Sequence, residues 1–82
     1  KQPQWVAKGR PAPSGKIPVT SMIDKQGYVR TVCRAHVGGS LYKSGDFFPA
    51  RDICRISDSN TTKDYSNYEV LYATQPRWES YK

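Results

Sequence analysis

The stretch Tyr28-Val29-Arg30-Thr31-Val32-Cys33-Arg34-Ala35 (YVRTVCRA, residues 28–35) decides the fold class. It is dense in β-branched and aromatic residues and reads as a strand. Alternation puts Val29, Thr31, Cys33 and Ala35 on one face, with Tyr28, Arg30 and Arg34 on the other. Ile53 to Ser57 (ICRIS) reads as a second strand, in which Cys54 and Ile56 share a face opposite Arg55. Tyr68 to Ala73 (YEVLYA) is a third, and Val19 to Ile23 a shorter one. Lys25-Gln26-Gly27 and Gly38-Gly39 mark turns. Leu41-Tyr42 begins a short strand that ends at Ser44-Gly45-Asp46, and Asp58 to Asp64 (DSNTTKD) reads as a polar loop. No segment sustains a helical period. These signals predict an all-β domain, a small antiparallel β-sandwich or curled sheet.

With 82 residues the chain is one domain, spanning residues 1–82, with room for a single thin core. A domain of this size is marginal without a covalent or metal staple. The two cysteines supply one: a Cys33–Cys54 disulfide would turn both cysteine faces inward. The alternatives are free thiols or metal ligands. Cys33, His36 and Cys54 offer three ligands, where a structural zinc site takes four, and no cofactor is expected. If the cysteines face inward, Arg30, Arg34 and Arg55 form a basic-aromatic face with Tyr28. The competing reading of that face is an ordinary solvated one.

A disulfide places the chain in an oxidising compartment, so a secreted, extracellular protein is expected. Asn60-Thr61-Thr62 is a sequon for N-glycosylation in the polar segment. No signal peptide is visible and Lys1 is not a start methionine, which reads as a mature or excised product. No apolar run approaches the roughly 20 residues of a spanning helix. The net charge of +6 favours acidic partners such as anionic glycans, nucleic acid or lipid head groups.

Residues 1–18 hold Pro3, Pro11, Pro13 and Pro18, and read as an extended, turn-rich arm anchored by Trp5 and Val6. Gln2-Pro3-Gln4-Trp5 returns as Gln75-Pro76-Arg77-Trp78. Residues 75–82 are therefore either the start of a second repeat or a segment capping the domain.

Catalytic patterns are missing from the sequence. There is no nucleophile-elbow motif around a serine, no phosphate-cradling glycine pattern and no metalloprotease motif. The single histidine, His36, reads as a surface or turn residue, and no enzyme activity is expected. Six tyrosines and two tryptophans are many for this length. Aromatics beside Arg, Asp and Asn suit sugars or unpaired bases, although most must serve a small core.

The run Tyr28 to His36 resembles the "Y-V-C-R-A-x-H" segment of the DM-nine repeat family, which includes the N-terminal domains of natterin-like proteins. The Gly38-Gly39 turn, Leu41, Gly45, the Ile53-Cys54-Arg55-Ile56 strand and the closing Tyr68-Glu69-Val70-Leu71 follow in the family's order. Upstream, Trp5, Gly9, Pro11, Pro13 and Gly15 resemble its opening. The resemblance spans residues 4 to 79 or so. It implies an antiparallel β architecture, often in tandem and sometimes paired into dimers. It also implies recognition of glycans, mannose-type ones especially. Its acidic position corresponds best to Asp24, and Lys43 lies near its turn lysine but out of register. The glycan reading takes Asp24, Lys43 and Asp46 as polar contacts, with Tyr42 or His36 to stack or lend a hydrogen bond. The chain departs from the family's "P-G-K" turn at Ser44-Gly45-Asp46, where Asp46 accepts hydrogen bonds and a lysine would donate them.

The leading expectation is thus a secreted carbohydrate-recognition module acting in defence or venom, with a glycan or glycoprotein as partner. The alternatives are a toxin-like or inhibitory domain gripping a protein through Arg30, Arg34 and Arg55, or a polyanion binder. A homodimer is compatible with each.

Overall fold

A computed structural model describes residues 2–74. The described residues form eight strands: β1 (Gln4–Ala7), β2 (Lys16–Pro18), β3 (Thr20–Ile23), β4 (Val29–Gly38), β5 (Leu41–Phe48), β6 (Ile53–Asp58), β7 (Thr61–Tyr65) and β8 (Glu69–Thr74). All belong to one antiparallel sheet whose main path is β1-β8-β4-β5-β6-β7, and the sheet does not close. Of the two architectures expected, the curled sheet is the one adopted. Among the described residues no helix is long and apolar enough to cross a membrane.

The curl is sharpest at β5. Strands β4 and β6 flank it, and in a flat sheet they would stand about 9.6 Å apart, twice the usual strand spacing. The Cα atoms of Cys33 on β4 and Cys54 on β6 are only 6.0 Å apart, joined by the disulfide. The sheet is therefore folded over at β5, and Gly45, which pairs with Cys33, sits at the crease. A Cβ there would lie 2.1 Å from the Arg55 carbonyl oxygen and 3.0 Å from Ile56 Cγ1. Only glycine lets the two backbones come this close.

The inner face carries the core: Val6, Cys33, Ala35, Cys54, Ile56, Tyr68 and Val70 are buried. Val37, Phe47, Tyr65 and Tyr72 pack against most of this set. Both cysteines are wholly buried, as the alternation argument required, and Ala35 follows them. Val29, expected on the same inner face, is 51% exposed. It lies at the end of β4, beyond the reach of β5, whose pairing with β4 begins at Thr31.

Strands β4 and β8 share just two register pairs, Cys33↔Val70 and Arg34↔Glu69. Past Val70 they part, and the β2–β3 segment wedges between them. Val19 N–H donates to the Leu71 carbonyl at 2.9 Å, and Val32 N–H donates to the Val19 carbonyl at 2.9 Å. Pro18 pairs with Tyr72 on one side of the wedge, while Thr20 pairs with Thr31 on the other. The arm at residues 1–18 is thus a working part of the sheet and supplies β1 and β2.

Two other segments differ from expectation. The strand opened by Leu41-Tyr42 runs on through Ser44-Gly45-Asp46 to Phe48, because glycine here serves the crease rather than a turn. The polar stretch 58–64 contains β7, which pairs with β6 from Cys54↔Tyr65 to Asp58↔Thr61. The second Gln-Pro-x-Trp segment, Gln75 to Trp78, lies outside the described residues.

Candidate functional site

The outer face bears the arginines. Register pairs put Arg34 of β4 opposite Ser44 of β5, and Asp46 of β5 opposite Arg55 of β6. Trp5, Glu69, Arg30, Arg34, His36, Tyr42, Phe48, Arg55 and Asp64 therefore share one surface, by strict alternation along paired strands.

Arg30, Arg34 and Arg55 are each stacked on an aromatic ring and paired with a carboxylate. The Arg34 guanidinium lies 4.4 Å from the Trp5 ring centre and 4.2 Å from that of Tyr42. Its Nε donates to Glu69 Oε1 at 2.6 Å. Arg30 lies 3.9 Å from the Phe48 ring centre, and Arg55 lies 4.6 Å from the same ring. Arg30 donates to Asp24 at 2.9 Å, and Arg55 grips Asp64 through two nitrogens at 2.8 and 3.1 Å. The Asp64 hydrogen bond raises the Arg55 pKa, and Arg55 in turn holds Asp64 below the usual carboxylate range. Arg30, Arg34 and Arg55 thus share the outer face with aromatic rings, and the charge of each is compensated by a carboxylate.

The residues that the family resemblance singles out do not converge. Asp24 accepts the N–H groups of Gln26 and Tyr28, at 3.0 and 2.9 Å, and so holds the β3–β4 turn. Burial pushes its carboxyl up, but those two N–H groups and Arg30 outweigh it and lower its pKa. Lys43 is on the inner side of β5 and pairs with Asp58. Asp46 is on the outer side and accepts from Ser21 Oγ at 2.6 Å. Alternation sets Lys43 and Asp46, three positions apart, on opposite faces.

His36 and Tyr42 do converge, together with Arg34. Past the Arg34↔Glu69 pair, β4 and the chain entering β8 part again, and among the described residues no strand fills the gap. The result is a cleft of about 220 Å3. Its lining includes Ala7 and Ala35 as small residues, with Arg34, His36, Tyr42, Asn67 and Glu69 presenting polar groups. The rings of His36 and Tyr42 are 4.1 Å apart, tilted by 55°. His36 Nδ1 stands 2.9 Å from the Gly39 carbonyl. A carbonyl only accepts, so Nδ1 carries the proton and the neutral ring keeps Nε2 as an acceptor.

A second network closes the back of the cleft. The Tyr68 hydroxyl donates to Asp52 Oδ1. Lys8 pairs with Asp52 Oδ2 at 3.0 Å and donates to the Ser66 carbonyl at 2.9 Å. Burial, and then the bond to Asp52, push the Tyr68 phenol up to about 12. The Tyr68 hydroxyl and Lys8 hold the Asp52 carboxyl below its ordinary range. These bonds tie together the β1 exit, the β5–β6 turn and the β8 approach.

Glu69, Asn67 and Lys8 are site residues that sequence reading alone did not find. Glu69 left a trace, since a charge interrupts the otherwise apolar YEVLYA strand. Among the described residues no group of three or more His, Cys, Asp or Glu side chains is placed to hold a metal ion. Comparison of the chain with family models, curated proteins and solved structures gives no match.

Proposed function

We propose that this protein is a secreted carbohydrate-recognition module that binds a single neutral sugar residue in the cleft between β4 and β8. The observation that carries the reading is the convergence of Arg34, His36, Tyr42, Asn67 and Glu69 around a cleft of about 220 Å3 with alanines in its lining. Small side chains leave room for a sugar ring. Planar polar groups of both donor and acceptor character meet its hydroxyls. The stack of Trp5, Arg34, Tyr42 and His36 fixes these groups before a ligand arrives, which lowers the ordering cost of binding.

Charge compensation favours a neutral sugar over a polyanion. Arg34 already carries Glu69, and Lys8 already carries Asp52. A compensated pair of this kind offers hydrogen bonds but little net field. The resemblance to the DM-nine family supports the same ligand class, and the disulfide suits the extracellular setting. Isothermal titration with methyl mannoside, methyl galactoside and N-acetylglucosamine tests the reading. Saturable binding of one of them, insensitive to added salt, is expected. No binding of any at millimolar concentration overturns it.

A further inference from the structure

The two halves of the folded sheet leave a second recess, separate from the cleft. It is an inner-face groove of about 510 Å3 between the ends of β4–β5 and β6–β7. Val37, Leu41, Ile56 and Tyr65 give it apolar surface, which shares the wall with Thr61, Thr62 and the charged Lys43, Asp58 and Lys63. Leu41 is 57% exposed here, an uncovered apolar side chain beside an open groove.

The sequon Asn60-Thr61-Thr62 stands at this groove. Asp58 and Thr61 are the last register pair of the β6–β7 hairpin, so Ser59 and Asn60 form its two-residue tip. Ser59 takes φ +47°, the left-handed conformation such tight tips need. Thr61 Oγ donates to the Asp58 carbonyl at 3.1 Å and holds the tip in shape. Asn60 is exposed, and so is Thr62, the hydroxyl residue of the sequon.

We propose that Asn60 carries an N-linked glycan whose first sugars lie over this groove. In the step that attaches it, the Asn60 amide nitrogen bonds to the anomeric carbon of a lipid-linked oligosaccharide. The polyprenyl diphosphate leaves, and the amide gives up one proton. Sugar rings have apolar C–H faces that suit Leu41 and Tyr65, while the threonines meet their hydroxyls. The glycan also stands at the first residues of β7, an outer strand of the open sheet, where it blocks pairing with another chain.

The test is to pass the full chain through a eukaryotic secretory pathway and weigh it before and after peptide-N-glycosidase treatment. A mass excess of glycan size that the enzyme removes, and that Asn60→Gln lacks, is expected. A secreted chain with its bare polypeptide mass overturns the proposal. Removal of the glycan from the folded wild-type protein should raise the fluorescence of the apolar dye ANS severalfold. Unchanged dye fluorescence overturns the covering role.

Discussion

A Cβ on Gly45 would stand 2.1 Å from the carbonyl oxygen of Arg55, so one backbone crosses the other with no room for a side chain. Gly45→Ala must push β5 and β6 apart at the crease, against the disulfide that holds β4 to β6. A loss of about 2–4 kcal/mol is expected, in the range of overpacking and strained-backbone substitutions. Urea denaturation of the oxidised proteins measures it, and equal midpoints would mean that the crease is soft.

The disulfide closes a loop of 21 residues in sequence separation. In the chain-entropy picture such a loop contributes ~3 kcal/mol. The burial of both sulfurs adds a packing role. Cys33→Ala with Cys54→Ala should therefore lower the urea midpoint sharply and expose tyrosine fluorescence to quenchers. A double variant as stable as the parent would show that the core does not depend on the staple.

The Tyr68–Asp52 bond makes a pH prediction with a definite sign. The Tyr68 phenol titrates near 12 in the fold and near its ordinary value of 10.0 in the unfolded chain. Between those values the unfolded chain binds fewer protons, so stability should fall as pH rises from 10 to 12. Asp52 acts at the other end. Its folded pKa is depressed, so the stability it adds is present above its ordinary value of 3.8 and is lost as pH falls through the folded value. Absorbance at 295 nm should show one late-titrating tyrosine, absent from Tyr68→Phe. A Tyr68→Phe protein with an unchanged alkaline limb would contradict this.

The strand signals at residues 28–35, 53–57 and 68–73 were legible because each carries buried alternate residues around a cysteine or valine. The disulfide was legible for the same reason. Strand β7 was not, since four of its five residues are exposed and nothing in DSNTTKD alternates. Gly45 read as a turn because a close approach between nonlocal backbones leaves the same signature as a turn. The pairing of Arg34 with Glu69, 35 positions away, depends on two register pairs that no local pattern encodes. Thus the arginine face was visible in the sequence while its neutrality was not. His36 and Tyr42 were legible as candidates, but Asn67 and Lys8 reach the cleft only through the way β1 and β8 meet.

Tyr42 and Lys43 are chain neighbours that separate two assignments of the sugar site. Tyr42→Ala should weaken binding about tenfold, the ~1.4 kcal/mol expected for one aromatic wall. Lys43→Ala and Asp46→Asn should leave affinity within about twofold, since neither lines the cleft. Calorimetry on the three variants decides, and the reverse ranking would move the site to the Lys43–Asp46 region.

Amide chemical-shift mapping during titration of the isotope-labelled protein with the neutral sugar panel tests the cleft most directly. Saturable shifts should centre on Ala7–Lys8, Arg34–His36 and Asn67–Glu69, with Arg30 and Arg55 unmoved. Shifts centred instead on Asp24 and Asp46, or no shifts at millimolar sugar, would contradict the assignment of sugar binding to the gap between β4 and β8.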